Sequence, residues 1–385
     1  MSRAFRPGLV RAVSLSVVAL AATAAAQQAM PPPATVPAPV PEPAPDPTPE
    51  PSPSPATSPS RVQVTGFVDV YYSYNFNGVD PSLRAFDVQH NAFSLSLAEV
   101  AVAKSVSPES RVGFRADLDL GKTAEIVASF EPEDGDREIY QYIQQAYVSV
   151  LAGSRVQVDA GKFVTPHGAE VIESQDNWNY SRSILFGYAI PFYHFGVRAT
   201  VPVTGRLSLA GYVVNGWNNG AELHGAKAFA LGATLKPSDS LTWIGNYMVG
   251  QEAEGLGTRH LFDTTFTLAA TSRLSLMGNF DYGKEGASRW WGVAAYAKLQ
   301  ATPSWSLVGR YEYADDTAGG FMTFGTTAQS VTLTSDHTIA GALKARLEYR
   351  TDFAGAAIFE KDDGSTTSSQ TTLAVGLVYA FGGSF

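Results

Sequence analysis

The chain has no cysteine among its 385 residues. This absence excludes disulfide bridges and thiolate metal sites, and with them the small secreted domains that disulfides hold together. Basic residues are also in deficit, with 27 Lys and Arg against 36 Asp and Glu and a formal net charge of -9. Because an acidic chain is poorly suited to nucleic acid, we expect no nucleic-acid partner.

The sequence signatures of enzymes and metal sites are missing as well. The six histidines lie far apart, without an H-E-x-x-H pattern or another ligand spacing. No G-x-S-x-G motif occurs, and Gly121, Lys122 and Thr123 lack the upstream glycine of a phosphate-binding loop. We therefore expect no enzyme activity, no cofactor, no metal and no catalytic residues. A hydrolase with Ser and His on a lipid-facing rim needs no motif and stays open as a third hypothesis.

The N-terminal apolar run is too short to span a bilayer. Arg3, Arg6 and Arg11 precede a mostly apolar stretch at 12–22, and small residues follow up to Ala26. A basic start, a short apolar run and an A-x-A site are typical of a secretory signal peptide. The sequence thus predicts a signal peptide at residues 1–26.

Proline dominates the next segment, residues 27–60, where nearly every second residue between 31 and 59 is Pro. Such a segment lacks the apolar side chains of a core and adopts extended polyproline II structure. It is predicted to be a disordered periplasmic spacer. A stalk that reaches toward cell-wall material is the alternative.

The last stretch, residues 371–385, shows the pattern that recurs along the rest of the chain. Successive side chains of a strand point to opposite faces. One face here is apolar and partly aromatic: Leu373, Val375, Leu377, Tyr379, Phe381 and Phe385. The other face is small and weakly polar. An apolar face of this kind suits lipid, while the second face suits a lumen.

The same alternation predicts sixteen strands. They are placed near 62–77, 91–104, 111–120, 140–151, 155–164, 192–203, 206–214, 227–236, 240–249, 260–271, 273–282, 289–300, 304–313, 329–338, 342–352 and 371–384. The second, seventh and fourteenth strands are the weakest, and the parity change around Ala98 and Glu99 indicates a β-bulge or a misplaced strand. Strands of about ten residues suit a tilted transmembrane strand better than a soluble sheet.

Long and short connections alternate between these strands, with 283–288 the least convincing long one. This alternation is expected of a barrel with both termini on one side of the membrane. We therefore predict an all-β fold, an antiparallel transmembrane β-barrel of about 16 strands at residues 61–385.

Charged side chains fall on the predicted inner faces, which indicates a wet interior. The predicted pore-lining residues are Arg111, Arg115, Asp117, Asp119, Arg198, Arg310, Glu312, Lys344, Arg346, Glu348 and Arg350. Since both signs are present in near-equal numbers, no strong ion selectivity is predicted. His194, on the same inner face, is interpreted as a hydrogen-bonding residue.

The longest strand-free stretch, 165–191, is the candidate constriction loop. It carries Glu170, Glu173 and Asp176 against Arg182. Loops of this length are uncommon without a function. We expect the loop to fold into the lumen and narrow the pore, and packing over the barrel rim is the alternative.

One block of sequence carries a family resemblance. GKFVTPHGAEVIESQDNWNYSRSILFGYAIPFYHFGVRAT at 161–200, with GYVVNGWNN after it, GFVDVYYSYNFN before it and RLEYRTD near the end, resembles the OmpL-like outer-membrane β-barrel porins. The resemblance covers about residues 61–385 and implies an outer-membrane location and passive solute passage. Phe385 resembles the C-terminal signal that the barrel-assembly machinery recognises.

The sequence as a whole predicts an outer-membrane porin for passive diffusion of small hydrophilic solutes and ions. The expected partners are outer-membrane lipid, the barrel-assembly machinery and the solutes, with a homotrimer as one option for the assembly. The alternative is a structural envelope tether, in which the barrel is the anchor and the proline-rich segment reaches the cell wall.

Overall fold

The computed structural model describes residues 61–131, 140–220, 225–252 and 255–384. The predicted signal peptide, the proline-rich spacer and the assembly signal Phe385 lie outside the described residues. Within them, the predicted all-β barrel is confirmed as a closed antiparallel barrel of sixteen strands.

In the described residues the barrel strands follow one another in chain order, with one α-helix after the third strand and a separate two-stranded hairpin before the last strand. The elements are β1 Gln63–Asn75, β2 Ala92–Lys104, β3 Val112–Leu120, α1 Lys122–Ser129, β4 Ile143–Ala152, β5 Val156–Val164, β6 Tyr193–Pro202, β7 Leu207–Val214, β8 Ala228–Ser238, β9 Leu241–Gln251, β10 Thr258–Ala269, β11 Leu274–Glu285, β12 Ser288–Thr302, β13 Trp305–Ala318, β14 Thr327–Ala340, β15 Leu343–Ala354, β16 Phe359–Glu360, β17 Thr366–Thr367 and β18 Ser369–Ser384.

The first and last strands close the barrel. β1 pairs antiparallel with β18 from Gln63 opposite Ser384 to Asn75 opposite Thr372, and the other side of β18 pairs with β15. This closure removes both edges of the sheet, so each barrel strand has two hydrogen-bonded neighbours. The predicted pairing of the C-terminal strand with the first strand is confirmed.

The alternation of side chains separates an apolar outer surface from the interior. On β18, Leu373, Val375 and Leu377 are exposed on the outer surface, whereas Ala374 and Val378 are buried inside. The same alternation of exposed and buried positions recurs on β1, β12, β13, β14 and β15. A barrel with this outer surface satisfies its backbone internally and leaves its apolar face for the bilayer.

A β-bulge explains the change of parity in β2. Leu95 and Leu97 pair with consecutive residues of β1, so Ser96 between them has no direct partner. Leu97 is consequently buried inside the barrel. Of the two alternatives that the sequence left open, a β-bulge and a misplaced strand, the bulge is correct, and it falls at Ser96, two residues before Ala98.

The connections alternate in length except at one place. The connection predicted to be long at 283–288 is only the two-residue turn at 286–287, because β11 continues to Glu285 and β12 begins at Ser288. Glu285 extends the strand since its carboxylate pairs inside the barrel with Arg259, at 3.0 Å between Oε2 and Nη2. Gly286 accommodates the turn with a φ of 55°.

The sequence reasoning missed the helix in the second long connection. α1 follows β3 directly and buries Thr123, Ala124, Val127 and Ala128, which recur at helical spacing. In the described part of the chain no helix is both long and apolar enough to cross a membrane.

Two long connections occupy the interior at the long-loop end of the barrel. We call residues 76–91 the first loop and residues 165–192 the lumen loop. Phe86 of the first loop packs against Phe186 and Phe192 of the lumen loop, with ring centroids 6.0 and 5.9 Å apart. These rings belong to a buried apolar cluster that also includes Ile184 and Trp290. The interior at this end is therefore filled by loop and wall side chains together.

Candidate functional site: the barrel lumen

Arginines of the barrel wall hold the backbone of the lumen loop. Arg310 of β13 donates to the carbonyl oxygen of Ser181 at 2.6 Å, and Arg350 of β15 donates to that of Arg182 at 2.6 Å. Arg346, also on β15, binds two further loop carbonyls. These contacts place the loop against the inner wall. The predicted entry of the loop into the lumen thus has direct geometric support.

Wall carboxylates hold the same loop through its amide groups. Glu348 of β15 accepts hydrogen bonds from the backbone N–H of Tyr180 at 2.6 Å and of Ser181 at 2.9 Å. Glu312 of β13 accepts one from Ile184 at 2.5 Å. A carboxylate that binds two adjacent amides fixes a short stretch of backbone in one position. The predicted pore-lining acids Glu312 and Glu348 therefore serve as anchors of the loop.

Arg310 of the barrel wall neutralises the carboxylate of Glu170 in the lumen loop. Its Oε1 lies 2.7 Å from Nη1 of Arg310, and its Oε2 accepts a hydrogen bond from the N–H of Ser183 at 2.6 Å. The Glu170 and Arg310 side chains are 3% and 0% exposed. A buried, paired carboxylate contributes little to the field in an open passage, contrary to its predicted role at the constriction.

Arg182 shapes the lumen loop from within. Its guanidinium donates to the carbonyl oxygens of Val171, Ile172 and Tyr180, and lies over the ring of Phe86 at 5.2 Å. Burial lowers the pKa of Arg182, whereas nearby carboxylates raise it. Arg182 thus joins two segments of the lumen loop, at 171–172 and at 180, and contacts the first loop instead of facing an open pore.

Glu173 and Asp176 occupy the part of the lumen loop that is more accessible. Asp176 is exposed at the end of a short 3-10 turn, Ser174–Asp176. Glu173 is half-buried and accepts a hydrogen bond from Nε2 of Gln144 on β4. Of the four predicted constriction residues, Asp176 is the most exposed and Glu173 is half-buried.

The first loop is joined to the barrel wall by ion pairs that also include Arg350, one of the residues that hold the lumen loop. Nη1 of Arg84 lies 2.6 Å from Oδ2 of Asp352, whose Oδ1 accepts a hydrogen bond from Nε of Arg350 at 2.7 Å. Asp87 lies 3.1 Å from Nε of Arg84. Burial raises the pKa of Asp87, while Arg84 lowers it. One connected set of charged groups therefore joins both loops to β15.

A second group of charges lies on β3, β5 and β6, away from the arginine anchors. Arg115 pairs with Asp117 at 2.8 Å, and Arg198 pairs with Asp159 at 2.7 Å. The Arg115 side chain is 26% exposed, so it is the most accessible of these paired cations. Asp119, also a predicted pore-lining residue, is buried opposite Glu99 of β2.

Two predicted pore-lining cations lie near the short-turn end. Arg111 precedes β3, is exposed, and donates to the carbonyl oxygens of Leu151 and Gly153. It thus binds a turn, because its guanidinium reaches the neighbouring strand connection. Lys344 is half-buried at the start of β15.

Several charged side chains of the lumen are buried, although the sequence predicted that water would surround them. A water-exposed lining was predicted, yet Arg310, Glu312 and Arg350 are almost fully buried and bind one another or the loops. The expectation is wrong for this part of the interior, because loop backbone and opposite charges replace water as their partners. Wall charge and loop position are consequently coupled.

Several lumen-loop partners were missed by sequence reasoning. Asp69 of β1 accepts a hydrogen bond from the hydroxyl of Tyr180 at 3.0 Å, and Trp290 of β12 donates its Nε1–H to the carbonyl oxygen of Ala189 at 3.0 Å. Asn279 of β11 accepts the N–H of Ala169 at 2.9 Å. Their only sequence signal is an inward-facing position, which many residues share.

The histidines of the lumen make local hydrogen bonds. Nδ1 of His194 lies 3.0 Å from the carbonyl oxygen of Gly216, and its Nε2 lies 3.2 Å from the hydroxyl of Thr165. This placement agrees with the hydrogen-bonding role predicted for His194. Among the described residues, no group of three or more His, Asp and Glu side chains is arranged to hold a metal ion.

The chain is similar to known β-barrel proteins. Residues 61–381 match the protein family described as "Putative beta-barrel porin-2, OmpL-like". No curated protein matches the chain.

Solved structures share the fold. The trimer form of in-vitro folded OmpT from Vibrio cholerae aligns with a TM-score of 0.57 and 10% identity, covering 83% of this chain and 99% of that one. The anion-selective porin from Comamonas acidovorans gives a TM-score of 0.55 and 13% identity, with 84% and 100% covered. At such identities the likeness shows the architecture alone.

Proposed function

The chain belongs to the OmpL-like family of outer-membrane β-barrel porins, and on this premise we propose that it passes small hydrophilic solutes and ions by passive diffusion. The observation that carries the proposal is the lumen loop, which lies inside the barrel and is held by Arg310, Arg346 and Arg350. A loop fixed within a barrel of this size sets the width of the remaining passage. Transport, and not catalysis, is the proposed activity.

The passage is proposed to run along the inner faces of β3 to β8. The arginine anchors lie on β13 and β15, and accessible inward side chains remain on the other side of the barrel. Arg115 on β3 is partly exposed, and Gln157, Thr200, Ser208 and Thr234 are half-buried on the following strands. Arg115, Asp117, Asp119 and Arg198 would flank this path. Arg310, Glu312, Arg346, Glu348 and Arg350 would hold the loop.

Single-channel recording in planar bilayers tests the channel and the loop. Purified protein is expected to give stepwise conductance. If correctly folded protein gives no conductance in the bilayer, the channel proposal is wrong. Deletion of residues 170–182 is expected to raise the unit conductance, because it removes the segment that fills the lumen. Unchanged conductance after the deletion would remove the loop from the path.

The absence of cysteine allows a matched test of the path. Ser208→Cys places a thiol on the inner face of β7, where Ser208 is half-buried, and Ser330→Cys places one on β14, where Ser330 is fully buried. A charged methanethiosulfonate reagent is expected to alter the current of S208C and to leave S330C unchanged. If S330C alone responds, the path runs on the loop-anchored side instead.

The remaining parts of the chain are assigned by the same proposal. Residues 1–26 are proposed to be a signal peptide, and residues 27–60 a periplasmic spacer that reaches cell-wall material. Phe385 is proposed to be recognised by the barrel-assembly machinery. The first strand begins and the last strand ends at the short-turn end, which supports a periplasmic position for both.

A homotrimer is the proposed assembly. One similar structure is the trimer form of OmpT. Native mass spectrometry of the detergent-solubilised protein should show a threefold mass, whereas a single-chain mass would contradict the trimer.

A further inference from the structure

The outer surface of the barrel carries one charged patch at the long-loop end. Among the described residues, the accessible charged side chains at outward-facing positions of these strand ends are Lys284, Arg289 and Asp315. They lie on the adjacent strands β11, β12 and β13. At the described ends of the other strands the accessible outward-facing residues are apolar, aromatic or uncharged, and the exposed Lys227 directly precedes β8. Charge is thus concentrated on one arc of the rim.

Strand register brings these groups together. Lys284 lies directly opposite Arg289 across the β11–β12 pair. At the next outward-facing position toward the membrane, two residues along each strand, Tyr282 lies opposite Trp291. Trp291 in turn lies opposite Asp315. Two cations therefore stand above two aromatic rings. We call Tyr282, Lys284, Arg289, Trp291 and Asp315 the rim patch.

Four of the five residues of the rim patch line a surface cavity, and Lys284 lies beside it. Tyr282, Arg289, Trp291 and Asp315 line a depression of about 220 Å³ together with Thr317 and Ala318. The strands above it are joined by the two-residue turn at 286–287, so no long loop of this hairpin hangs over the cavity. The β11–β12 side of the cavity is consequently not covered by a long loop.

The cations of the patch have spare binding capacity. Within the described residues, the side chains of Lys284 and Arg289 form no hydrogen bond and no ion pair within 4.0 Å, although Arg289 lies near enough to Asp315 to interact electrostatically. Asp315 is already occupied in part, since its Oδ1 accepts hydrogen bonds from the N–H and hydroxyl of Thr317 at 3.0 and 2.7 Å. The Trp291 side chain also donates to the Asp315 carboxylate, and Arg289 attracts it. Because a carboxylate offers about four acceptor positions, Asp315 keeps capacity for a hydroxyl donor, and an anion can approach Lys284 and Arg289.

The depth of the rim patch in the membrane indicates which anion binds there. Tyr and Trp mark the interface of transmembrane barrels, where lipid headgroups lie. Below the patch the outer surface is apolar, with Val293 and Phe280 next in register. An occupant must then combine phosphate for the cations, hydroxyls for Asp315 and acyl chains for the apolar wall. We propose that the rim patch is a binding site for the phosphorylated sugar headgroup of an outer-leaflet glycolipid.

Native mass spectrometry of the full-length protein in detergent tests this site with three probes. They are a phosphorylated glucosamine glycolipid, the same lipid after dephosphorylation, and inorganic phosphate. The variant K284Q/R289Q removes both cations of the patch. K236Q/K361Q removes two exposed lysines elsewhere and so matches the change of charge.

Wild type is expected to bind the phosphorylated lipid at least about tenfold more tightly than the dephosphorylated lipid, since each surface cation favours an anionic headgroup. K284Q/R289Q should lose this preference and K236Q/K361Q should keep it. Heat-dependent gel mobility confirms that both variants are folded.

Four results would overturn the proposal. Equal binding of the two lipids, or retained preference in K284Q/R289Q, removes the phosphate contact. Displacement of the lipid by inorganic phosphate at similar concentration indicates a simple anion site. Loss of oligomers in K284Q/R289Q alone identifies the patch as a contact between copies of the chain. None of these results depends on conductance, so the channel proposal is judged separately.

Discussion

Glu170 of the lumen loop and Arg310 of β13 meet inside the barrel, with Oε1 and Nη1 2.7 Å apart, although they lie 140 positions apart in the chain. Both side chains are buried. Arg310 also lies 3.5 Å from Glu312 of its own strand. One guanidinium therefore neutralises a loop carboxylate and a wall carboxylate at once, and the position of the loop depends on that wall charge.

Arg310→Met is expected to lower the free energy of unfolding by about 3–5 kcal/mol, because it leaves Glu170 and Glu312 buried beside one cation fewer. Urea unfolding in lipid vesicles, followed by tryptophan fluorescence, measures the change. Arg206→Met, at an exposed turn, is the control and should change stability by no more than about 0.5 kcal/mol.

The double variant E170Q/R310M should be less destabilised than the sum of its single variants, since the two residues interact directly. Equal stability of R310M and R206M would show that the buried pair does not hold the loop.

Glu348→Gln should release the middle of the lumen loop. The Glu348 carboxylate accepts hydrogen bonds from the amides of Tyr180 and Ser181, and an amide side chain offers one acceptor oxygen fewer. A buried donor without a partner costs about 1–3 kcal/mol. Hydrogen exchange at residues 180 and 181 should therefore accelerate at least about fivefold.

Glu360→Gln, on the exposed β16, is the matched control for Glu348→Gln and should leave this exchange unchanged. Unaltered exchange in E348Q would mean that the two amides are protected by other groups.

Gly283→Ala should disturb the end of the lumen loop through a neighbouring ring. A Cβ at Gly283 would overlap the indole of Trp290, which donates to the carbonyl oxygen of Ala189. Overpacking of this kind costs about 1–3 kcal/mol and shifts the ring. The unfolding midpoint in urea should fall, and the tryptophan emission should change.

Gly205→Ala is a suitable control for Gly283→Ala, because an added Cβ meets nothing within 4 Å at Gly205. If both variants unfold at the same denaturant concentration, the Trp290 ring has room that the structure does not indicate.

The architecture was predictable from sequence because its cause is local. A period of two in side-chain polarity defines each strand, and strands such as 343–354 and 369–384 show it over most of their length. Closure then follows from an even number of strands and from the absence of sheet edges. The change of side-chain parity in β2 was also visible in the sequence, which placed it two residues too far toward the C-terminus.

The state of the interior was not predictable in the same way. Alternation shows that Glu312 and Arg350 face inward, but not whether water or a loop meets them. That depends on contacts such as Ile184 with Glu312, which lie 128 positions apart. Helical spacing at 123–128 was available in the sequence and would have revealed α1.

Glu173 gives the lumen loop a pH dependence that can be measured. Burial raises the pKa of Glu173, and the nearby Asp176 acts in the same direction. The folded protein thus binds this proton more tightly than the unfolded chain. The stabilising contribution is complete below the ordinary glutamate pKa of about 4.3 and is lost as the pH rises through the raised folded-state pKa.

Glu173→Gln removes this titration, so the variant should gain stability relative to wild type as the pH rises from about 4 to about 8. Urea unfolding of both proteins at these two pH values gives the difference. Glu360→Gln, an exposed carboxylate on β16, should show the same difference from wild type at both pH values. A constant difference between E173Q and wild type would contradict the raised pKa, because a group with equal affinity for the proton in both states cannot change stability with pH.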